Sequence, residues 1–456
     1  MKHLLFPLLI SVAAFGQMQA QEGHKSYPGF QLLRANEDYR FLQDQLPADG
    51  FWEHLKYVPL AKNSFVTFGG DVRSEFQVLR NEEWIKDNDD AALFQRFMLH
   101  ADWHLGKNVR FFSQLKSAHS AGRNGEPFFL NDDDLDFHQL FLGFNFGNST
   151  LEVGRRELSY GSRRLISFRE GTNVRQSFDG ARWIWRQPNH RLDLLFYAYN
   201  PQQVGIFDNE INTDQLLWGA YWVWDVPQAT GLHFDFYYLG VENGAPRFEE
   251  GGEAETRHSL GVRHWGEKGK LTFNNEAVFQ FGKMGDGNIS AWTISSEVKY
   301  KLPVSALPTT VGLKAEIISG DDDPTDGDLQ TFNALYPRGG YFGLLALIGP
   351  ANLMDIHPSL GFRLGEQWSL NLDWDFFWRH QTGDGIYFPS GRLNVASDGS
   401  EERFIGHQPG VQLGFEVNRF LEIETSYFHF FTGKFLEEVT DGENFSQLGF
   451  SINFRF

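Results

Sequence analysis

The chain contains no cysteine among its 456 residues. That excludes disulfide frameworks, thiolate metal centres and cysteine nucleophiles together, so an exported fold of this size must be held by backbone hydrogen bonding and packing. Beyond its first residues it also lacks any charge-free stretch of about 18 apolar residues, which excludes a membrane-crossing helix. Basic residues are in short supply: 40 Lys and Arg stand against 59 Asp and Glu, a formal charge of −19. Nucleic acid is therefore not an expected partner, because phosphate backbones select a basic footprint. Compact catalytic signatures are missing too, with no GxSxG, HExxH or P-loop sequence and no cluster of histidines.

What is present begins with Met1 to Ala20. Lys2 and His3 precede an apolar run from Leu4 to Phe15, followed by small or polar residues ending in Met18-Gln19-Ala20. This is the pattern of a secretory signal peptide, with the mature chain starting near Gln17 or Gln21. Residues 21–63 carry Pro28, Pro47 and Pro59 and a candidate short helix around Ala35 to Gln45. They read as a periplasmic lead or small plug, too short for a separate domain of ordinary size.

From Ser64 onward the sequence alternates. Phe68, Val72, Phe76 and Val78 interleave with Thr67, Asp71, Arg73, Glu75 and Gln77; Phe97, Leu99, Ala101 and Trp103 interleave with Arg96, His100, Asp102 and His104. Leu370, Leu372, Trp374, Phe376 and Trp378 do the same against Asn371, Asp373, Asp375 and Arg379. A period of two is a strand with one greasy and one polar face. About eighteen such segments follow one another, the first over 64–80 and the last over 444–456. A mean hydropathy of −0.38 is no obstacle to membrane insertion, since only every second residue of a barrel strand faces lipid. The aromatic fraction of 16%, with 45 Phe, 14 Tyr and 13 Trp, suits a lipid-facing band and interfacial girdles.

Alternation alone fits a soluble sandwich as well as a barrel. The connections separate them. Gly106-Lys107, Gly147-Asn148, Gln187-Pro188-Asn189, Glu267-Lys268-Gly269, Glu366-Gln367 and Asn418-Arg419 are tight turns, while 159–176, 201–213, 242–254, 321–354 and 382–402 are long links. Short turns at one end and long loops at the other are the habit of a transmembrane antiparallel β-barrel at 64–456. About eighteen strands leave an aqueous lumen and already close a pore, so a monomer is expected. The last strand, Leu448, Phe450, Ile452, Phe454 and Phe456, would be an aggregation hazard if its edge were left open.

Two constellations carry candidate chemistry. Arg155, Arg156, Arg163, Arg164, Arg169, Arg175 and Arg182 crowd around Glu157, Glu170 and Asp179. Guanidinium forks in a pore loop select anions; the same residues, paired internally, brace a folded-in loop, and both readings are open. Arg73, Arg96, Arg110, Lys116, Lys314, Arg363 and Arg379 add positive charge to the polar strand faces, shared there with Glu75, Asp102, Glu316, Asp373 and Asp375. In the longest link, Asp321, Asp323 and Asp326 offer hard oxygen ligands for Ca²⁺, against the alternative of a solvated acidic loop; no other cofactor is expected.

Three stretches resemble the alginate export family of outer-membrane porins: Tyr39-Arg40-Phe41-Leu42 with Phe51-Trp52-Glu53-His54-Leu55-Lys56-Tyr57, Gly154-Arg155-Arg156-Glu157-Leu158-Ser159-Tyr160-Gly161 through Phe178-Asp179-Gly180, and Ser319-Gly320-Asp321-Asp322-Asp323 through Gly349-Pro350-Ala351-Asn352-Leu353. The resemblance implies an eighteen-stranded bacterial outer-membrane barrel with an arginine-rich constriction, gated by loops or turns. Carried over residue by residue, it places Arg155, Arg163 or Arg164, Asn173, Arg175, Phe178 and Asp179 in the pore-associated segment. The chain departs from the pattern with Arg156, where Gln is more usual, and with its acidic loop at 321–328. The implied function is a channel for an anionic polysaccharide such as alginate or its oligomers, with outer-membrane lipid and periplasmic secretion or uptake proteins as partners. The alternatives are a general or carbohydrate-selective porin, or a barrel enzyme using lumen carboxylates.

Overall fold

The computed structural model of the chain describes residues 29–44, 51–125, 128–227, 231–303, 307–340, 342 and 345–456. The expected signal peptide at 1–20 lies outside the described residues, as does Gln45, the end of the expected lead helix; over the described part of that helix there are instead 3₁₀ turns, at Arg34–Asn36 and Arg40–Asp44. Residues 29–37 form a small unit of their own. There a single 3₁₀ turn, Arg34–Asn36, is tied by Arg34 Nε donating to Glu37 Oε1 at 2.8 Å.

The rest is built on one antiparallel sheet rolled on itself, with a small separate hairpin of Ile386–Tyr387 and Leu393–Val395. The strands of the rolled sheet are β1 Ser64–Arg80, β2 Asp90–Leu105, β3 Val109–Ala121, β4 Asp133–Phe146, β5 Ser149–Arg156 and β6 Ser177–Gln187. Next come β7 His190–Asn200, β8 Gln215–Asp225, β9 Leu232–Asn243, β10 Glu255–Lys268, β11 Leu271–Met284 and β12 Gly287–Lys301. The ring is completed by β13 Thr309–Ile318, β14 Leu353–Leu364, β15 Trp368–Arg379, β16 Phe404–Asn418, β17 Leu421–Thr432 and β18 Phe445–Arg455. Each pairs with the next, and β18 pairs back onto β1 from Asp71↔Arg455 to Arg80↔Ser446. Eighteen strands thus close a barrel, and each has a hydrogen-bonded neighbour on both sides.

Closure explains why the polar residues are the buried ones. Leu99 is 55% exposed on the outer face while Arg96, three residues earlier on the inner face, is 0% exposed. Phe68, Phe76, Phe97 and Trp374 likewise face outward, and Asp71, Arg73, Asp102 and Asp375 inward. The seam is doubly fastened. Gly70 and Phe456 exchange both main-chain hydrogen bonds at 3.0 Å, and an added Cβ at Gly70 would lie 2.5 Å from the Phe456 ring, so a side chain there would push that ring aside. From the short helix Phe51–Lys56, Trp52 packs its ring 4.7 Å from Phe456 and 5.5 Å from Phe454.

At one end the connections are mostly tight, at 106–108, 147–148, 188–189, 269–270, 365–367 and 419–420. The other end carries 157–176, 201–214, 244–254, 319–352 and 380–403. One loop-end connection breaks the pattern, since β11 and β12 are joined by only Gly285 and Asp286. The loop after β13 leans over this low rim: Leu329 bridges to Ile289, and Asp328 Oδ1 accepts from the Asn288 N–H at 2.8 Å.

Inside the loop end, Leu158, Leu165, Ile166, Phe332, Leu335, Phe342, Leu345 and Ile348 pack against inward side chains such as Tyr197, Tyr237, Leu239 and Phe377 to form a hydrophobic core. Phe332, Ile166 and Leu158 are fully buried in it. At about 1.5–3 kcal/mol for each large side chain so buried, the two inward loops are fixed parts of the wall rather than loose flaps.

Candidate functional site

The segment 157–176 crosses the lumen. On one side, Arg73 donates to the Glu170 and Thr172 carbonyls at 3.2 and 3.0 Å. Asn173 Nδ2 donates to the carbonyls of Asn131 at 2.7 Å and Gln95 at 3.1 Å. Arg96 joins Glu170 at 2.8 Å to Asp71 at 3.2 Å. Toward the opposite wall, Arg164 pairs with Glu316 on β13 and Glu276 on β11, the latter at 3.6 Å, and donates to Thr293 on β12 at 3.2 Å. Midway, the 319–352 loop pairs with the segment: Ser167 N–H donates to the Tyr336 carbonyl and Tyr336 N–H to the Leu165 carbonyl, both at 2.9 Å. Arg338 N–H donates to the Arg163 carbonyl at 3.2 Å.

Two arginines flank this crossing in left-handed backbone, Arg163 at φ 63° and Arg169 at φ 56°. Non-glycine residues adopt that region at a cost of about 1–3 kcal/mol, and hold it where the surroundings over-determine it. Here the surroundings are the paired strands of loop between them.

Each candidate arginine now has an address. Arg156 and Arg182 share Glu152, the latter at 2.6 Å, and Arg156 lies over the Phe141 ring. Arg175 pairs with Glu157 at 3.2 Å and with Glu170. Arg155 turns away from all of these. Strand alternation sets it on the face opposite Glu152 and Arg156, where it forks onto Asp179 at 2.8 and 3.0 Å and donates to the Asn209 carbonyl of loop 201–214. Arg379 is fully buried and gives its guanidinium to the carbonyls of Thr382, Asp384, Ser400 and Glu402, bracing loop 380–403. Arg363 pairs with Glu416 at 3.1 Å and remains half exposed. In the acidic loop, Asp321, Asp323 and Asp326 do not converge. Their carboxylates accept from backbone N–H groups of Gln330, Thr325 and Asp328, and among the described residues no group of three acids or histidines is arranged to hold a metal.

On the short-turn side of the crossing lie two contiguous cavities of about 790 and 340 Å³ that share Glu297, Lys299, Lys314 and Arg338. Lys301, Arg363 and His357 line the larger one and Arg163 the smaller. Arg163 has no ion pair among the described residues. On the loop side a third cavity, of about 420 Å³, is lined by Arg169, Arg247 and Arg392 with Tyr199 and Tyr336. Positive side chains therefore continue from one side of the crossing to the other. Arg247, Arg338 and Arg392 were not among the sequence candidates, because they sit in loops where no period indicates which way a side chain points.

Loop 380–403 is latched by Asp384, whose carboxylate accepts from Tyr387 Oη at 2.5 Å, Thr331 Oγ1 at 2.6 Å and the Asp321 N–H at 3.1 Å. Burial pushes its carboxyl up to about 7, assisted by Glu249 and opposed by those three donors. A folded-state pKa above the ordinary value of about 3.9 makes this contribution complete below that value and lost as pH rises through 7. Protease protection of this loop is expected to fall between about pH 5 and pH 8, and Asp384→Asn to flatten the profile. Protection independent of pH in the unsubstituted protein would contradict it.

The family model for alginate export matches residues 64–447, from the first residue of β1 into β18. The chain belongs to the alginate export family. No curated protein matches it. Among solved structures, this alginate export chain is similar to the outer membrane protein OpdK of Pseudomonas aeruginosa, 11% identical, with 88% of this chain and 99% of that one covered at a TM-score of 0.62. It is also similar to OccK8 (OprE) of the same organism, 12% identical, with coverage of 86% and 98% and a TM-score of 0.57. OccK2 (OpdF) of that organism, solved in complex with glucuronate, is 11% identical, with coverage of 86% and 96% and a TM-score of 0.58. At such identities the likeness is one of fold. Family membership makes the alginate export chain an outer-membrane, porin-like channel, with its tight turns periplasmic and its long loops outward.

Proposed function

We propose that the channel is anion-selective and passes an anionic polysaccharide of the alginate type, or its oligomers. The observation that carries this reading is the continuity of positive side chains across the loop crossing, with Arg163 and Arg169 on its two sides and neither ion-paired among the described residues. Most of the other arginines of 155–182 serve as braces, so selectivity is assigned to the few cations that line cavities. Cations along a narrow low-dielectric path focus potential and concentrate polyanions at its mouth. A second reading, a channel for monomeric sugar carboxylates, is favoured by cavity sizes that suit single sugar units.

In planar bilayers, open-channel current is expected to reverse at a potential favouring chloride over potassium and to be blocked by polyuronate oligomers. Block by glucuronate alone, with none by oligomers, would decide for the second reading. Cation preference without block would eliminate both.

A further inference from the structure

Arg169 differs from every neighbouring brace. Arg164 has Glu316, Arg175 has Glu157, and Arg182 has Glu152. Arg169 is 8% exposed, its Nε is buried and unpartnered, and its guanidinium has neither a hydrogen bond nor an ion pair among the described residues. Removing one partner of a buried ion pair is strongly destabilising because a charge is left uncompensated, so an arginine built in this way calls for a counter-charge from outside the fold. The cavity of about 420 Å³ that it lines lies on the loop side of the crossing and is within the range of small-molecule sites, roughly 300–1,000 Å³.

The other walls add chemistry. Tyr199 and Tyr336 are stacked on each other at the cavity wall, ring centroids 5.3 Å apart and planes 16° from parallel, an apolar aromatic pair. Arg247 and Arg392 are exposed at its rim, neither ion-paired among the described residues, and Arg392 rests on the Phe388 ring. Glu255, the acid in the lining, is already committed to Arg257 at 2.8 Å and Asn333 at 2.7 Å. The cavity is distinct from the chamber below. The paired loop segments at 165–167 and 336 intervene, and the Arg169 stem rests at Gly339, next to Arg338, which lines the lower side.

We propose that this outer cavity is a separate binding site for one uronate residue, its carboxylate held in the fork of Arg169 and its ring packed against the stacked Tyr199–Tyr336 pair. A guanidinium and a carboxylate meet in a planar, charge-assisted pair, and the tyrosine rings offer the sugar's C–H face an apolar surface. Arg247 and Arg392 draw the anion to the rim. The site rests on the anion-channel reading and adds to it a step: capture on the outer side of the crossing before, or after, residence in the lower chamber.

The test uses the full chain in lipid nanodiscs, titrated calorimetrically with glucuronate, with glucose and benzoate as comparison probes. Glucuronate is expected to bind saturably, one per chain, and more tightly than either. Arg169→Gln should weaken it about tenfold or more, the usual size of a lost buried charge-assisted contact. The exposed pair Arg247→Ala with Arg392→Ala, which removes no buried contact, should weaken it less and slow association at low salt. Unchanged affinity in Arg169→Gln with retained heat-modifiable gel mobility overturns the site, as does benzoate or glucose binding as tightly as glucuronate. Should Arg169→Gln fail to fold, the rim pair decides, and no effect there overturns the proposal. Anion selectivity in bilayers separates the two readings. Selectivity without glucuronate binding removes this site alone; binding without selectivity removes the channel reading alone.

Discussion

Replacing Arg164 by alanine is expected to widen the channel and weaken its preference for anions. Arg164 is the tie between the crossing segment and the β11–β13 wall, 3% exposed and paired with two carboxylates that are themselves buried. Loss of one partner from a buried pair costs about 3–5 kcal/mol, enough to move a two-position loop by about a hundredfold or more. Glu276 would keep the hydroxyls of Tyr237 and Ser162, and Glu316 would keep Lys314 at 3.4 Å, yet both would lose their shared guanidinium. Two effects should then appear together in single-channel recordings: larger conductance, from release of the crossing, and a lower anion-to-cation permeability ratio, from carboxylates newly facing the path. Arg164→Lys should recover charge but not the geometry that reaches Glu276, Glu316 and Thr293 at once. Unchanged conductance in Arg164→Ala would mean that the crossing is held by its hydrophobic core and the Arg73, Arg96 and Asn173 contacts alone.

The second large effect is expected from charge reversal in the lower chamber. Arg163→Glu combined with Arg338→Glu should invert ion preference, so that the reversal potential in a salt gradient changes sign. Both side chains line the cavity beneath the crossing, with Lys299 and Lys314 nearby. Salt screens charge beyond about 10 Å at 0.1 M and about 3 Å at 1 M, so the inversion should be strong at 0.1 M and fade toward 1 M. A sign that stays the same would move the selectivity determinant elsewhere, to Lys301 and Arg363 nearer the periplasmic mouth.

The barrel was legible because a period of two is written into every strand. The segment expected at 64–80 coincides with β1, and the one expected at 444–456 matches β18, Phe445–Arg455, to within a residue at each end. Tight turns mark themselves with glycine, as at Gly106 and Gly147, both with positive φ. The site was legible only as composition. The arginines of 155–182 are conspicuous, but their partners are remote: Arg164 meets Glu316 across 152 positions, and Arg73 meets Thr172 across 99. Strand parity was enough to assign Arg379 to the inner face, yet a loop that bends back over the rim takes its whole guanidinium. Arg169 and Arg392 lie where the backbone has no period, so nothing local distinguishes a brace from a residue left without a partner.

One consequence follows from the neighbours Arg155 and Arg156. They serve opposite sides of a wall one strand thick, the first locked to Asp179 beneath loop 201–214 and the second to Glu152 inside. A single residue inserted between Thr150 and Glu152 would exchange their duties. Arg155 would be delivered to the lumen and Arg156 to the outer lock, while Val153 and its lipid-facing neighbours would be turned inward. Insertions in pairs would preserve the parity. The length of β5 between its turn and this dipeptide is thus constrained to even steps, a rule of counting that no single substitution in the segment reveals.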